Sequence, residues 1–595
     1  MLPATLTLDA LRAVYLDRPD ALIDVVEEVL ARIASAGDPA IFISLAAPDE
    51  LRRAARDLLK RAPDPALLPL WGIPFAVKDN IDVAGLDTTA ACPAFAYRAE
   101  KDATTVARLK AAGALAVGKT NLDQFATGLN GTRSPYGAPR SVFHADYVSG
   151  GSSSGSAVAV AAGLVPFAPG TDTAGSGRVP AAFNNIVGIK PTPGLLSAAG
   201  VVPACWSLDC VSIFSASVAD GVLIRRLAEG FDQSDPYSVR GMQKTLAPCP
   251  RVGVLGGDTR EFYGDEESAA LYAGAIETMR GLGAEIIAID YRPFQEIGAL
   301  LYDGPWLAER LAGIGDFVDK HPQELYPAVR TLLEGAHRYS AVEAFAGMHK
   351  LRELRRRCEI EWAAADFLLL PTSPAIYTVE AMRADPLKLN ARLGTYTNFV
   401  NFLGCSAIAV PAGFKSDGLP FGVTLVAPSF HDDALAIPAA AMHAAANCGA
   451  GRAREKIAAA PVAVPGEARV GLAVVGAHLT GEPLNAELAG LGGRLIETIR
   501  TAGDYRLFVL ANTTPRKPGL VRDPKFRGEG IEVEVWSLSP EAFGRFAASI
   551  PAPLGIGKIA LADGREVSGF LCEGYAVEGA HEITHFGGWR GFLRR

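Results

Sequence analysis

The sequence predicts an α/β fold with a largely parallel or mixed sheet covered by helices, followed by a smaller α+β domain. Three observations carry this reading. Short apolar runs alternate with segments of helical spacing through roughly the first 450 residues. At 595 residues the chain is too long for one small core. From Asn447 to Gly466 the composition turns to Ala, Pro, Gly and scattered charge, and strand-like runs resume after it. The predicted organisation is a domain over 1–446, a linker over 447–466 and a second domain over 467–595.

The elements follow in order. Leu8 to Ala36 has a Thr-Leu-Asp start and helical spacing, and Glu50 to Arg61 reads as another helix. L-P-L-W-G-I-P-F-A-V-K-D-N is a strand ending in Lys78, Asp79 and Asn80. A helix over Ala103–Gly113 leads to the strand A-L-A-V-G-K-T, and a loop-rich stretch then runs toward Ser149. Ser154 to Gly163 is a buried small-residue helix, followed by the strand L-V-P-F-A-P. R-V-G-V-L, a helix over Glu266–Gly281 and E-I-I-A-I-D continue the alternation. Phe294 to Ala364 is strongly helical; D-F-L-L-L-P, S-A-I-A-V-P-A-G-F and F-G-V-T-L-V-A-P are strands, and a helix over Asp433–Ala446 closes the unit. A-R-V-G-L-A-V-V-G-A-H-L-T opens the second, strand-rich unit of about 130 residues.

The bulk properties restrict function. Apolar residues make up 49% and charged residues 21%, with a formal net charge of −8. An acidic chain lacks the basic face that nucleic acid or an anionic membrane requires, but one or two buried arginines suffice for a small anionic substrate. The eight cysteines show no C-x-x-C pair and no Cys/His ligand spacing, so a reducing compartment and no metal are expected. With no signal-peptide pattern and no apolar run of about 18 residues, the expected location is the cytoplasm.

Two Gly/hydroxyl clusters, Gly150–Ser156 and Gly170–Arg178, flank a short apolar segment. Such clusters serve as loops and linkers, and equally where backbone approaches a ligand or cradles an anion. A serine hydroxyl needs a base to become a nucleophile, and no histidine lies inside the stretch. Lys78 closes an apolar strand, where its amine either snorkels outward or, desolvated and neutral, serves as that base.

G-I-P-F-A-V-K-D-N, G-G-S-S-S-G-S and G-T-D-T-A-G-S-G-R-V-P-A, in that order, resemble the amidase signature family, the Ser–cis-Ser–Lys amide hydrolases. The separations, 74 residues from Lys78 to Ser152 and 24 more to Ser176, are similar to the family's, and the resemblance covers about the first 450 residues. It implies Ser176 as nucleophile, Ser152 as a bridging serine after a cis peptide bond, and Lys78 as terminal base. It also implies an oxyanion hole from the amides of Asp172, Thr173, Ala174 and Gly175. Ser154 and Ala174 stand where the family has glycines, and Gly177 where it has a larger aliphatic residue.

An amidase core with a C-terminal domain of this size resembles the allophanate hydrolases, which act on urea-1-carboxylate. L-Y-D-G-P-W-L-A-E-R fits that subgroup and implies Tyr302 and Arg310 as carboxylate contacts, with Thr127 and Gly128 lining the pocket. The eight-residue separation of Tyr302 and Arg310 is about two turns of a single helix. Asp123 stays unassigned. V-V-G-A-H-L-T-G-E-P-L-N and G-E-G-I-E-V-E-V-W-S-L resemble the subgroup's C-terminal domain, related to γ-glutamyl cyclotransferase-like folds. There His478 is the candidate for decarboxylating the first product, N-carboxycarbamate; a structural or dimerising role for this domain stays open, as do Arg516 and Lys517 as anion contacts. The resemblance further implies no cofactor, a homodimer, and a link to urea carboxylase or to cyanuric acid and biuret hydrolases. The alternatives are another amidase of the family, acting on biuret, malonamate or glutamine amide, a glutaminase subunit for transamidation, and a scaffold with an idle hydrolase core.

Overall fold

A computed structural model describes residues 2–241, 243–247, 249–456, 469–511 and 513–595. The chain divides into two compact units, Met1–Val462 and Ala463–Arg595.

The first unit is built on one mixed sheet. Its strands, numbered along the chain, are β1 (Phe42–Leu45), β2 (Pro74–Lys78), β5 (Leu115–Thr120), β6 (Phe167–Thr171), β7 (Val187–Lys190), β8 (Val211–Ser215), β9 (Arg251–Leu255), β10 (Glu285–Ile289), β11 (Phe367–Pro371), β12 (Ser406–Phe414) and β13 (Pro420–Ala427). The short pair β3 (Asp87–Thr88) and β4 (Tyr97–Arg98) stands apart from it. The sheet order is β1-β5-β2-β6-β8-β7-β12-β13-β11-β9-β10. β5, β2 and β6 run parallel, as do β10, β9 and β11, and antiparallel pairs join the strands between. The predicted α/β class with a mixed sheet is thus what the chain forms.

Every residue of β2, β6, β11 and β13 is buried, which requires cover on both faces. Helix Ser154–Ala161 packs on β2 and β6, helix Val218–Ala228 on β7 and β8, and helix Asp432–Ala446 on β12 and β13. The first of these is buried at all eight positions, and its small residues allow the close approach. A Cβ on Gly155 would stand 2.3 Å from the Ile41 carbonyl oxygen, so that position admits only glycine. Caps fix several helix starts: Thr7 accepts from the Ala10 amide, and Ser340 with Glu343 forms a capping box for Ala341–Ala364.

Residues 447–456 of the predicted linker pack on the first unit. The Gly451 amide donates to Asn185, that of Arg452 to Ala161, and the Arg454 guanidinium lies 3.6 Å from the centroid of the Phe414 ring. Residues 457–466 lie outside the described residues.

The second unit has β14 (Val470–Val474), β15 (Arg494–Arg500), β16 (Tyr505–Val509), β17 (Pro518–Arg522), β18 (Glu532–Leu538), β19 (Leu554–Ala560), β20 (Glu566–Cys572) and β21 (His581–Glu582). They form a five-stranded sheet, β15-β18-β14-β20-β19, and a three-stranded one, β17-β16-β21. Helix Pro540–Ala548 packs on β14 and β18. Among the described residues no helix is long and apolar enough to cross a membrane.

Candidate active site

β2 and β6 are parallel neighbours, registered where Phe75 stacks on Phe167, so they end side by side. Their carboxyl ends carry Lys78 and Thr171, and the carboxyl edge is where open α/β sheets place their sites. The buried Lys78 Nζ donates to Ser152 Oγ at 2.8 Å and to Thr171 Oγ1 at 2.6 Å. Burial pushes the amine down to about 7, against the opposing pull of Asp123, Asp209 and Asp172. An amine that is neutral near pH 7 can take a proton from a hydroxyl. Thr171 was not among the predicted site residues; its signal was its place at the head of T-D-T-A-G, but only strand pairing brings it to Lys78.

The Gly151–Ser152 peptide is cis, as the resemblance implied. A Cβ on Gly151 would meet Asp123 Oδ2 at 2.2 Å and the Gly131 nitrogen at 2.6 Å, so nothing larger fits. Asp123 accepts the amides of Asn130, Gly131 and Arg133, and its own amide donates to the Ser152 carbonyl. It therefore orders the loop that faces Ser152.

Ser176 is buried on the turn after β6, and its hydroxyl donates to the Gly128 carbonyl at 3.5 Å. Among the described hydrogen bonds none joins Ser152 to Ser176. The structure thus pairs Lys78 with Ser152 and sets Ser176 against the Thr127–Gly128 loop. Gly177 follows because Ser212 occupies the adjacent space, its Cβ only 2.6 Å from where a Gly177 Cβ would lie.

The turn carrying Ser176 is held by a fully buried pair that sequence reasoning missed. Arg178 Nε and Nη2 donate to Asp172 Oδ2 and Oδ1 at 2.8 and 2.9 Å. The same carboxylate accepts the amides of Gly175 and Gly177, and Asn401 donates to the Asp172 carbonyl at 2.7 Å. Burial alone would raise the Asp172 carboxyl, but the Arg178 charge and hydrogen bonds prevail and hold it below its usual range.

This closure narrows the expected oxyanion hole. The Asp172 amide already donates to the Cys210 carbonyl at 2.7 Å and that of Gly175 to Asp172 Oδ1 at 2.8 Å. The amides of Thr173 and Ala174 have no protein acceptor among the described hydrogen bonds, so these two of the four can meet a developing oxyanion.

Tyr302 and Arg310 correct the expectation of one shared helix. Tyr302 lies in the last turn of helix Arg292–Asp303 and Arg310 lies in helix Trp306–Lys320, because Gly304 and Pro305 interrupt the run. Tyr302 is half-buried against the core. The buried Arg310 donates through Nη1 to Thr127 Oγ1 at 3.2 Å, while its Nε has no partner and it joins no ion pair among the described residues. One loop, Thr127–Gly128, therefore touches both the Ser176 hydroxyl and the Arg310 guanidinium. Arg133, also buried, donates to the Thr127 carbonyl at 2.9 Å and steadies that loop.

In the second unit His478 Nε2 lies 3.1 Å from Glu487 Oε2, and its ring stacks on Phe570 and meets Phe546 edge-on. Burial pushes the imidazole below its usual value, with Glu487 opposing and the Lys517 charge adding to the shift. Among the described residues no group of three His, Cys, Asp or Glu side chains is placed to hold a metal ion.

Comparison with known proteins follows the same division. The amidase family model matches residues 24–436, and that of the allophanate hydrolase C-terminal domain matches residues 470–594. Urea amidolyase of Saccharomyces cerevisiae is 43% identical over 556 residues, covering 90% of this chain. The chain spans only 30% of that relative's length. The solved structure of Kluyveromyces lactis allophanate hydrolase is similar over 100% of both chains, with 38% identity and a TM-score of 0.82. One subunit of the glutamyl-tRNA(Gln) amidotransferase of Symbiobacterium thermophilum is 35% identical over 446 residues, 69% of this chain and 90% of its own.

Proposed function

Since the chain belongs to the amidase family and joins that core to an allophanate hydrolase C-terminal domain, we propose that it hydrolyses allophanate to ammonia and carbon dioxide. The observation that carries the substrate is Arg310, a buried guanidinium with no carboxylate partner among the described residues, tied to the loop that the Ser176 hydroxyl touches. Arg310 feels the Asp209 charge but makes no ion pair among the described residues, and a small substrate carboxylate supplies one bidentately.

In this reading the allophanate carboxylate rests on Arg310 and Tyr302, with Thr127 and Gly128 along the pocket. Ser176 turns from Gly128 and attacks the terminal carbamoyl carbon while its proton passes through Ser152 to neutral Lys78. The oxyanion meets the Thr173 and Ala174 amides. The C–N bond breaks, and ammonia leaves with the proton returned along the same relay. Water then attacks the acyl ester, restoring Ser176 and releasing N-carboxycarbamate. Loss of CO2 from that product, followed by breakdown of carbamate, gives two ammonia and two CO2 in all, and His478 is the group proposed to assist the decarboxylation.

We further place the enzyme in the cytoplasm as a homodimer, supplied with allophanate by a urea carboxylase or by hydrolysis of cyanuric acid and biuret. Steady-state ammonia release from allophanate, biuret, malonamate and glutamine tests the substrate. Turnover of glutamine or simple amides without turnover of allophanate would sink the assignment. Product identification after deletion of the residues beyond Gly466 tests the second unit; unchanged CO2 release would remove His478 from the chemistry.

A further inference from the structure

The segment from Val202 to Asp209 reaches each part of the site through its own hydrogen bonds. At its start the Val202 amide donates to Asn80 and Asn80 Nδ2 returns a bond to the Val202 carbonyl, beside Lys78 and Thr171. At its end Asp209 Oδ1 accepts the Thr173 hydroxyl at 2.5 Å, and Oδ2 accepts the amides of Ala204 and Cys205 at 2.8 and 3.0 Å. Between them, Ser207 donates through its amide and hydroxyl to Glu309, both at 2.7 Å, and Cys205 Sγ lies 3.0 Å from the same carboxylate. Glu309 immediately precedes Arg310 on helix Trp306–Lys320. The turn is stiffened by the Leu208 and Asp209 amides, both donating to the Cys205 carbonyl. Asn401 ties the Leu208 carbonyl to that of Asp172.

We infer that Asp209 is a positioning residue: through residues 204–207 and Glu309 it holds the oxyanion turn at Thr173 in register with the guanidinium of Arg310. Both oxygens of its carboxylate are committed to protein donors, so it acts through Thr173 and the strut rather than on substrate. The two groups it joins would grip opposite ends of one small molecule, where a displacement of about 1 Å costs on the order of a hundredfold in rate. Apolar packing of Trp306 on Phe402, and of Ile314 and Val318 in a buried cluster with Phe125, anchors helix Trp306–Lys320 as a body; the Asp209–Glu309 connection adds the polar tie next to Arg310. This inference rests on the allophanate reading of the site.

The test is a double-mutant cycle of Asp209→Asn and Arg310→Ala, read as kcat and KM for allophanate and for an uncharged amide that the enzyme also hydrolyses. With allophanate, the double variant should lose at least about tenfold less in kcat/KM than the product of the two single losses. The register that Asp209 maintains has no value once Arg310 is gone. With the uncharged amide the losses should multiply. Multiplicative losses on allophanate, or equal coupling on both substrates, would overturn the strut. No turnover of allophanate by the wild-type chain would overturn the substrate reading instead. Should Asp209→Asn not fold, Glu309→Ala takes its place in the cycle with the same two outcomes.

Discussion

Lys78 Nζ lies 2.8 Å from Ser152 Oγ, and the charges of Asp123, Asp209 and Asp172 act on it. Desolvation and these charges act in opposite directions on the amine, and desolvation wins. The lowered pKa of the amine is therefore set by where Lys78 sits, at the buried end of β2, more than by any one neighbour.

In the proposed mechanism Lys78 must be neutral to receive a proton, so kcat/KM should fall with an acid limb near 7, where the amine titrates. Its folded pKa lies below the ordinary 10.5, so burial costs stability fully below about 7, and that cost fades as pH rises toward 10.5. Lys78→Met should abolish turnover and raise the melting temperature at neutral pH. A pH–rate profile and thermal unfolding at several pH values check both signs. An acid limb that stays below pH 5, or a lower melting temperature in the variant, contradicts them.

Thr171 accepts the second hydrogen bond from Lys78, at 2.6 Å. Thr171→Val keeps the shape and removes the acceptor, so kcat/KM should drop by about tenfold, roughly 1.4 kcal/mol. Steady-state kinetics of a variant whose melting temperature is unchanged isolates the effect.

Arg310→Ala should raise KM for allophanate by about a hundredfold, the scale of a lost charge-assisted bond, and leave an uncharged amide nearly untouched. Arg310→Lys should restore little, because an ammonium cannot reproduce the planar fork. Equal losses on the two substrates would refute a carboxylate contact.

Arg178→Ala strands the fully buried Asp172 charge and should cost about 3–5 kcal/mol of stability. The depressed Asp172 carboxyl contributes stability that is present above its unfolded pKa and lost as pH falls through the folded value. The variant should therefore lose less stability than wild type between neutral and acidic pH. Urea unfolding at two pH values measures the difference.

The sequence exposed those parts of the site that lie in ordered local motifs. Lys78, Ser152 and Ser176 could be singled out as candidates because each closes or follows a distinctive run, and helix Glu266–Gly281 could be placed because its spacing is regular. Thr171, Asn401 and the Asp172–Arg178 pair were not legible, since their roles come from strands and helices that meet only in the folded chain. β7 and β8 escaped notice because their short runs lack a period that separates them from a loop. The helix break at Gly304–Pro305 was visible in the sequence; reading Tyr302 and Arg310 as one eight-residue spacing hid it. Which amides of the 172–175 turn remain free depends on the turn's own carboxylate and on the Cys210 carbonyl, and composition says nothing about either.

The most direct test is ammonia release from allophanate by the purified full-length chain, compared with its Ser176→Ala variant. The account predicts steady turnover by the wild type and a loss of at least about ten-thousandfold in the variant, as expected for removal of a nucleophile. Allophanate left intact by the wild type, or ammonia still released at a comparable rate without the Ser176 hydroxyl, would contradict it.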